Sequence, residues 1–452
     1  MTDIVAAQRQ YFHSGATRPV AARKQALDKL EAVLLRREGD LLSALRSDLD
    51  KAPFEGYATE VGLVLAELRD TRKHLGAWSR PRRVPMPLSQ FPSTGRVCPE
   101  PYGVALIMAP WNYPVQLTLV PLISALAAGC TAVVKPSELA PATSAVLAAL
   151  LGETFPPEYV RVVEGGVETN TALLEERFDV IFFTGSPRVG KIVMTAAARH
   201  LTPVTLELGG KSPVIVCPDA DLDLTARRLV WGKFLNAGQT CVAPDHVYVP
   251  AARRDGLVRA MGKYIQKSYG DNPLDSPDLT RIVNASHFMR LLGLLESGRV
   301  AFGGKSAEHT LKIEPTILTD VGENSPIMSE EIFGPLLPVL TYDSLDGLIS
   351  KLQSRERPLA LYLFTQDKGT ERRVLEALPF GGGCVNDTVV HLTASGLPFG
   401  GMGNSGMGAC HGKAGFDAFT HQKSILKKGK LDVPVRYPPY QDSRIGLLKK
   451  LM

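Results

Sequence analysis

The chain of 452 residues carries 51 lysines and arginines against 46 aspartates and glutamates, a formal net charge of +5. This near balance gives no support for a nucleic-acid-binding protein, whose basic surface would dominate the charge. Hydrophobic residues make up 44% and charged residues 21%, a composition typical of folded globular proteins that excludes long disordered regions. The length predicts two to three domains.

The cysteines and the chain ends bear on the compartment. Six cysteines lie far apart, without the close Cys/His spacing of a zinc site, and this predicts no metal centre and a reduced, cytoplasmic protein. The N-terminus shows no basic stretch followed by an apolar one, so no secretory signal is expected. The tail from Arg444 to Met452 is too short to span a membrane. We expect it to be solvated, with weak contact to an anionic membrane surface as the alternative.

The first third of the chain predicts helices followed by a connector. From about Val20 to Trp78, apolar residues recur at helical spacing, which favours two or three amphipathic helices. A proline- and arginine-rich stretch from Arg80 to Pro92 predicts a connector. The uncharged stretch 101–134 is interrupted by prolines, so we predict that it does not cross a membrane.

Beyond residue 100, short apolar runs alternate with helical ones. Strands are predicted at 104–108, 132–134, 160–163, 180–183 and 214–216, and in a second alternation, from about 222 to 386, at 246–249, 339–341 and 361–364. Helices are predicted at 117–128, 144–151 and 189–199. Strands alternating with helices indicate βαβ units, so the sequence predicts an α/β protein with parallel sheets.

A glycine-punctuated turn follows the strand predicted at 180–183. The segment Phe183–Ile192 contains GxxxxGK, but Ile192 has no oxygen for Mg²⁺, so an ATPase or GTPase is not favoured. A dinucleotide diphosphate held without a structural metal fits this strand-to-helix turn better. A turn without a ligand is the alternative.

Lys135 and Glu138 follow the strand predicted at 132–134. Open α/β sheets bind ligands at the carboxyl ends of their strands, where this lysine and carboxylate would suit the hydroxyls of an adenosine ribose. The alternative is a helix N-terminus, with Ser137 as the cap and Glu138 in the first turn.

Three separate segments carry groups suited to catalysis. Cys241 lies in a loop of small and polar residues, whereas three other cysteines adjoin apolar runs typical of inert core thiols. Glu207 ends a predicted strand, 203–208, and offers a carboxylate for general-base catalysis. Asn112 follows the strand at 104–108 and offers an amide donor for an oxyanion. Each has a structural alternative, and spacing along the chain does not show that the three converge.

Together these segments resemble the motifs of the aldehyde dehydrogenase superfamily, in the family's order and over essentially the whole chain. The matching motifs are PWNYP from 110, KPSE from 135, FTGS from 183, ELGGKSP from 207, GQTC from 238, EEIFGP from 330 and PFGG from 398. The short N-terminal lead and the stretches around Glu207 and Cys241 are similar to the class 3 branch, which includes fatty and aromatic aldehyde dehydrogenases.

The resemblance implies that a medium- or long-chain aliphatic or aromatic aldehyde is oxidised to the carboxylic acid, with NAD as the expected cofactor and NADP as a second choice. Cys241 would attack the aldehyde, and Asn112 with the backbone N–H of Cys241 would hold the oxyanion. Glu207 would activate the water that hydrolyses the resulting thioester. The implied cofactor contacts are Lys135, Glu138, Gly185, Ser186, Gly190, Glu331 and Phe333. The implied substrate-pocket residues are Tyr113, Trp231, Phe399 and His411.

The resemblance also implies an α/β fold of two parallel-sheet domains, a Rossmann-like cofactor domain and a catalytic domain, with a small β bridging and oligomerisation arm. The implied ranges are 1–80 and 100–206 for the dinucleotide-binding domain, 207–390 for the catalytic domain, 81–99 and 391–436 for the arm, and 437–452 for a C-terminal tail. A homodimer acting on a small-molecule aldehyde is implied, with no nucleic-acid partner and no transmembrane segment.

Two alternatives differ in chemistry. An acylating enzyme would pass the thioester to coenzyme A and would not need Glu207 as a hydrolytic base. A non-enzymatic binding or structural role would predict loss of Cys241, Glu207 or Asn112, and all three are present.

Overall fold

The computed structural model describes residues 1–432 and 436–451. Its helices are α1 (Thr2–His13), α2 (Val20–Arg36), α3 (Glu38–Leu49), α4 (Pro53–Gly56), α5 (Gly62–Trp78), α6 (Gln116–Ala128), α7 (Pro141–Thr154), α8 (Val167–Leu174), α9 (Pro187–Ala198), α10 (Leu222–Phe234), α11 (Ala251–Tyr269), α12 (Ala285–Leu295), α13 (Pro326–Ser329), α14 (Leu345–Gln353), α15 (Lys368–Ala377), α16 (Gly412–Ala418) and α17 (Ile445–Leu451). Its strands are β1 (Arg82–Val84), β2 (Ser93–Pro101), β3 (Val104–Met108), β4 (Thr131–Lys135), β5 (Val160–Val162), β6 (Val180–Gly185), β7 (Val204–Leu208), β8 (Pro213–Val216), β9 (His246–Pro250), β10 (Arg299–Phe302), β11 (Ser306–Ala307), β12 (Lys312–Ile313), β13 (Thr316–Thr319), β14 (Leu336–Tyr342), β15 (Ala360–Phe364), β16 (Gly382–Val385), β17 (Gly406–Met407) and β18 (Thr420–Lys428). A π-helical turn, Tyr57–Val61, joins α4 to α5.

The first sheet has the strand order β17-β7-β6-β3-β4-β5. The strands from β3 to β7 run parallel, and β17 pairs antiparallel with β7 at the edge. Every residue of β3 and β4 is buried, as expected for continuous apolar strands of a parallel sheet that is covered on both faces. The strand order reverses between β3 and β6, the place where open sheets of this kind bind ligands.

The second sheet has the order β10-β13-β14-β9-β8-β15-β16, parallel throughout except for the antiparallel β10 edge. A third, antiparallel sheet consists of β1, β2 and β18, in which β18 pairs with β2 along its whole length. These sheets confirm the predicted fold of two parallel-sheet α/β units with a small β sheet beside them.

The uncharged stretch 101–134 lies in the core of the first sheet. It forms β3, α6 and β4, and all residues of α6 except Leu117 are buried. Its apolar character therefore reflects protein packing on all sides of a helix. Across residues 1–432 and 436–451, the model contains no helix with the length and apolarity needed to cross a membrane.

Two short strands do not follow the predicted domain limits. β7 continues through the limit between residues 206 and 207, and β17, which falls within the predicted arm range, belongs to the first sheet. The predicted arm and tail include residues 433–435 and 452, which lie outside the described residues.

Candidate active site

Two of the three predicted catalytic groups, Cys241 and Glu207, line one cavity of about 1080 Å³, and the third, Asn112, is bonded to the loop that carries Cys241. Cys241 lies in the turn that follows α10, and Glu207 lies near the carboxyl end of β7. Asn112 lies in the loop after β3, and its Nδ2 donates to the backbone oxygen of Gln239, two residues before Cys241, at 3.0 Å. Elements far apart in the chain thus bring a thiol, a carboxylate and an amide to one place.

The side-chain amide of Asn112 uses one of its two N–H hydrogens in a hydrogen bond within the protein. Its side chain is buried, and an amide nitrogen carries two hydrogens, of which the bond to Gln239 uses one. Asn236 Nδ2 donates to the backbone oxygens of both Asn112 (2.8 Å) and Gln239 (3.1 Å), and so ties the two loops together. Among the described residues, the second Asn112 hydrogen has no hydrogen-bond acceptor.

Gln239 fixes the loop that presents the thiol. Its side chain is fully buried, and Nε2 donates to the backbone oxygens of Asn236 (3.1 Å) and Arg281 (3.0 Å). Its Oε1 accepts from the backbone N–H of Val283 at 3.0 Å. Gln239 belongs to the GQTC motif, but sequence reasoning assigned it no role. The structure shows that it anchors the turn before Cys241.

The buried carboxylate of Glu207 lies next to the thiol of Cys410. Its side chain is 4% exposed, and neither carboxylate oxygen has a hydrogen-bond partner among the described residues. Burial raises the pKa of Glu207 well above its usual range, and the thiol of Cys410 opposes this shift only in part. A carboxylate with a raised pKa that lines a cavity is suited to take a proton from water there.

The Cys241 thiol is neutral at rest. Burial, followed by the charges of Glu331 and Glu207, raises its pKa to about 12, while the backbone N–H groups of Cys241 and Val242 act in the opposite direction. The thiolate is the nucleophilic form, so attack requires a base that accepts the thiol proton. Of the charged groups that shift the Cys241 pKa, Glu207 shares the cavity with it.

All four predicted pocket residues line the same cavity. The Tyr113 hydroxyl lies 2.7 Å from the Thr240 Oγ1, and the rings of Phe399 and His411 meet edge to face at 5.6 Å. Trp231 is about half exposed, so it lies toward the solvent side of the cavity. Sequence reasoning missed Cys410, which also lines the cavity, because it lies outside every motif used above.

The predicted ribose contacts lie at the carboxyl end of β4. Lys135 Nζ is buried and donates to Glu138 Oε2 at 3.0 Å, whereas the Glu138 side chain is 39% exposed. The helix N-terminus alternative is wrong: α7 begins only at Pro141, and the Ser137 hydroxyl accepts from the N–H of Leu139 within a turn. An accessible carboxylate at a strand end fits a ligand that carries hydroxyl groups.

The predicted diphosphate contacts lie where β6 passes into α9. Gly185 is the last residue of β6, and Ser186 caps α9 by accepting from the N–H of Val189 at 3.4 Å. Gly190 lets the helix approach the sheet, since a Cβ there would come within 2.8 Å of Leu208. The N-terminus of a 12-residue helix at the point where strand order reverses suits a diphosphate.

Glu331 and Phe333, the remaining predicted cofactor contacts, lie near the predicted catalytic groups. Burial, followed by the charge of Asp245, raises the pKa of Glu331 to about 8, and its carboxylate is close enough to shift the pKa of Cys241. Phe333 has a left-handed backbone with φ 47°, and its ring meets Trp111 edge to face at 5.4 Å. Glu331 therefore lies near the thiol, and it also lines a second cavity together with Pro187, the first residue of α9.

The family model described as "Aldehyde dehydrogenase family" matches residues 1–425. The chain belongs to the aldehyde dehydrogenase family. The 4,4'-diaponeurosporen-aldehyde dehydrogenase of Staphylococcus aureus is 48% identical over 436 residues, covering 96% of this chain and 95% of that protein. Aldehyde dehydrogenase family 3 member A2 of Rattus norvegicus is 46% identical over 444 residues, covering 98% and 92%.

A solved structure of a substrate-bound state of Staphylococcus aureus AldH superposes with a TM-score of 0.97 at 46% identity, covering 100% of this chain and 99% of that one. This aldehyde dehydrogenase is therefore an oxidoreductase that converts aldehydes to carboxylic acids, and its family uses NAD or NADP. Within residues 1–432 and 436–451, no three or more His, Cys, Asp or Glu side chains are grouped to hold a metal ion.

The amide of Asn112 leads to a first prediction for this aldehyde dehydrogenase. We expect Asn112→Ala to lower kcat by about 10²- to 10³-fold, because the role predicted for Asn112 is a hydrogen bond that strengthens as charge develops on the oxyanion. The change in KM should be smaller, and steady-state kinetics would measure both. Asn170→Ala on α8 is the matched control. An Asn112→Ala enzyme with unchanged kcat would contradict the prediction.

Proposed function

We propose that this enzyme acts through Cys241 as nucleophile, Asn112 as oxyanion donor and Glu207 as base. The observation that supports these roles is the meeting of a thiol and an unpartnered carboxylate in one cavity, with a half-free amide beside them. The dinucleotide, when bound, accepts the hydride from the substrate carbon. Every other step falls to groups of this chain.

The proposed reaction forms a thioester on Cys241 and then hydrolyses it. The Cys241 sulfur bonds to the aldehyde carbon, the thiol proton passes to a base, and the oxygen gains a negative charge next to Asn112 Nδ2. Loss of hydride from that carbon restores the C=O bond and leaves a thioester on Cys241. Glu207 then takes a proton from a water molecule while the oxygen of that water bonds to the thioester carbon. The C–S bond breaks and the departing sulfur takes the proton held by Glu207, which releases the carboxylic acid and restores both the thiol and the carboxylate.

The cavity supports medium- or long-chain aliphatic or aromatic aldehydes as substrates. Its volume of about 1080 Å³ exceeds what a two-carbon aldehyde needs, and its wall includes the apolar side chains of Leu117, Val120, Trp231, Val389, Val390 and Leu392. The Staphylococcus aureus relative is named for a large aldehyde, that of 4,4'-diaponeurosporen. Burying each CH₂ contributes about 0.8 kcal/mol, nearly a fourfold gain in kcat/KM per methylene.

An aldehyde panel tests this proposal. Purified protein is given straight-chain and aromatic aldehydes with NAD or NADP, with and without coenzyme A, and reduced cofactor is followed by absorbance. We expect kcat/KM to rise with chain length and coenzyme A to have no effect. A requirement for coenzyme A would favour the acylating alternative. The absence of turnover with every aldehyde and both cofactors would contradict the proposed chemistry.

We propose NAD as the preferred cofactor, on the charge of Glu138. A carboxylate that bonds ribose hydroxyls repels the additional phosphate of NADP, and the Glu138 side chain is accessible at the end of β4. We expect Glu138→Gln to raise the ratio of kcat/KM for NADP to that for NAD by about tenfold, since a change of 1.4 kcal/mol has this effect. The control is Glu168→Gln, on α8. An unchanged ratio would contradict the role of this carboxylate.

We propose a cytoplasmic homodimer in which the sheet of β1, β2 and β18 forms part of the contact. All six cysteines are free, which suits a reducing compartment. The dimer predicts a mass near that of two 48.9 kDa chains in light scattering, and a mass near that of one chain would contradict it.

Weak membrane-surface contact of the tail is supported by Lys449 and Lys450 beside the exposed Ile445. Co-sedimentation with anionic but not neutral vesicles would test that contact.

A further inference from the structure

A buried ion pair lies behind the oxyanion loop. Lys51 follows α3 and Glu60 lies in the π-helical turn before α5, and both side chains are 0% exposed. Lys51 Nζ and Glu60 Oε1 are 2.6 Å apart. Removing two charges from water costs several kcal/mol per ion, so a buried pair is weak support for stability by itself. π-helical turns also occur frequently at functional sites.

The pair contacts a single loop, that of Asn112. Lys51 Nζ donates to the backbone oxygen of Asn112 at 3.3 Å and lies 4.4 Å from the centre of the Tyr113 ring. Glu60 Oε2 accepts from the backbone N–H groups of Val115 (2.8 Å) and Gln116 (3.4 Å). The cation therefore holds the start of the loop and the anion holds its end.

We propose that Lys51 and Glu60 are positioning residues for the oxyanion donor. The direction of the Asn112 amide depends on the orientation of its own peptide group, whose oxygen accepts from Lys51 on one side and from Asn236 on the other. Two donors on one buried peptide oxygen, together with the 2.8 Å charge-assisted bond from the N–H of Val115 to Glu60, restrict rotation of the peptide. This inference rests on the proposed role of Asn112.

The test compares two buried cations. Lys51→Met removes the cation with little change in side-chain length. Arg23→Met is the matched control, because Arg23 is also buried and donates to the backbone oxygens of Ala127 and Ala128, at the end of α6. We expect both variants to lower the melting temperature. Only Lys51→Met should lower kcat, by about 10- to 100-fold with KM changed much less, since a small misplacement of a catalytic group has an effect of this size.

A double-mutant cycle separates positioning from general destabilisation. If Lys51 acts through Asn112, Lys51→Met should lower kcat less than twofold, roughly, in the Asn112→Ala enzyme, because the donor it positions is already absent. A full additional loss in that background would overturn the inference. Equal kcat losses in Lys51→Met and Arg23→Met would also overturn it. A normal kcat in Asn112→Ala alone would instead contradict the proposed role of Asn112.

Glu60→Gln covers the case in which Lys51→Met does not fold. Glutamine keeps an oxygen that accepts from Val115 but loses the charge that pairs with Lys51. We expect the same pattern in weaker form: a reduced kcat, an unchanged rate of Cys241 alkylation by iodoacetamide, and no further loss in the Asn112→Ala background. An unchanged kcat in a folded Glu60→Gln enzyme would overturn the role of the pair.

Discussion

Cys241→Ala should show no aldehyde-dependent reduction of the cofactor. The sulfur forms the only proposed covalent bond to the substrate, and loss of a nucleophile of this kind lowers kcat on the order of 10⁴- to 10⁶-fold. The structure also predicts that the variant folds, because alanine removes a partly buried thiol with a neutral resting state. Reduced-cofactor absorbance at saturating aldehyde would measure the effect.

Two controls make the Cys241 result specific. Cys98→Ala, on β2 of the small sheet, should keep full activity. Cys410→Ala removes the other thiol that lines the cavity and should keep the covalent intermediate, since Glu207 and Asn112 remain in place. Substantial turnover in Cys241→Ala would show that Cys241 is not the nucleophile. Loss of the intermediate in Cys410→Ala but not in Cys241→Ala would show the same.

Glu207→Gln should accumulate the thioester. Without a base, attack of water on the acyl group slows by about 10²- to 10⁴-fold, while formation of the thioester needs no activated water and is affected less. Mass spectrometry of the quenched enzyme should show an acyl adduct on Cys241 after one turnover. Glu175→Gln, at an exposed ion pair with Arg199, is the control. Steady turnover without an adduct would remove Glu207 from hydrolysis.

The same substitution should stabilise the fold at neutral pH. The pKa of Glu207 is higher in the folded protein than in the unfolded chain, so between these two values the native state binds more protons. The free energy of unfolding therefore falls as pH rises from about 4.5 and stops falling above the folded pKa. Glutamine removes this contribution. Chemical denaturation of both proteins across this range would show the difference, and parallel pH profiles would contradict it.

The sequence predicted the parts of the structure that depend on local pattern. The strand at 104–108 is β3 residue for residue, and the alternation of strands and helices yields the two parallel sheets because apolar periodicity reflects burial. The positions of Asn112, Glu207 and Cys241 at loops and strand ends followed from their motifs. Helix α1 was not predicted, and its buried Gln8 donates to the backbone of β4.

The missed residues share a physical reason. Lys51 and Glu60 are charged residues in a helical region, where the usual expectation is exposure to solvent. Their burial depends on contacts with a loop more than 50 positions later, and no local pattern contains that information. Asn236 has the same property: its backbone is left-handed, with φ 52°, and its amide bonds to the distant Asn112 as well as to Gln239 in its own loop.

The edge strand β17 lies in the glycine-rich run near the C-terminus, and its late position in the chain bears on the order in which the first sheet is completed. Gly406 pairs with Glu207, and its φ of 137° and the approach of Leu206 O, 2.1 Å from where a Cβ would be, restrict this position to glycine. Ser405 O also accepts from the N–H of Leu208. During synthesis, β7 can pair with β6 long before residue 406 has emerged from the ribosome. The pairing of β7 with β6 thus requires only the first half of the chain, whereas the outer edge of β7, which carries Glu207, is covered only once the last tenth of the chain has been made.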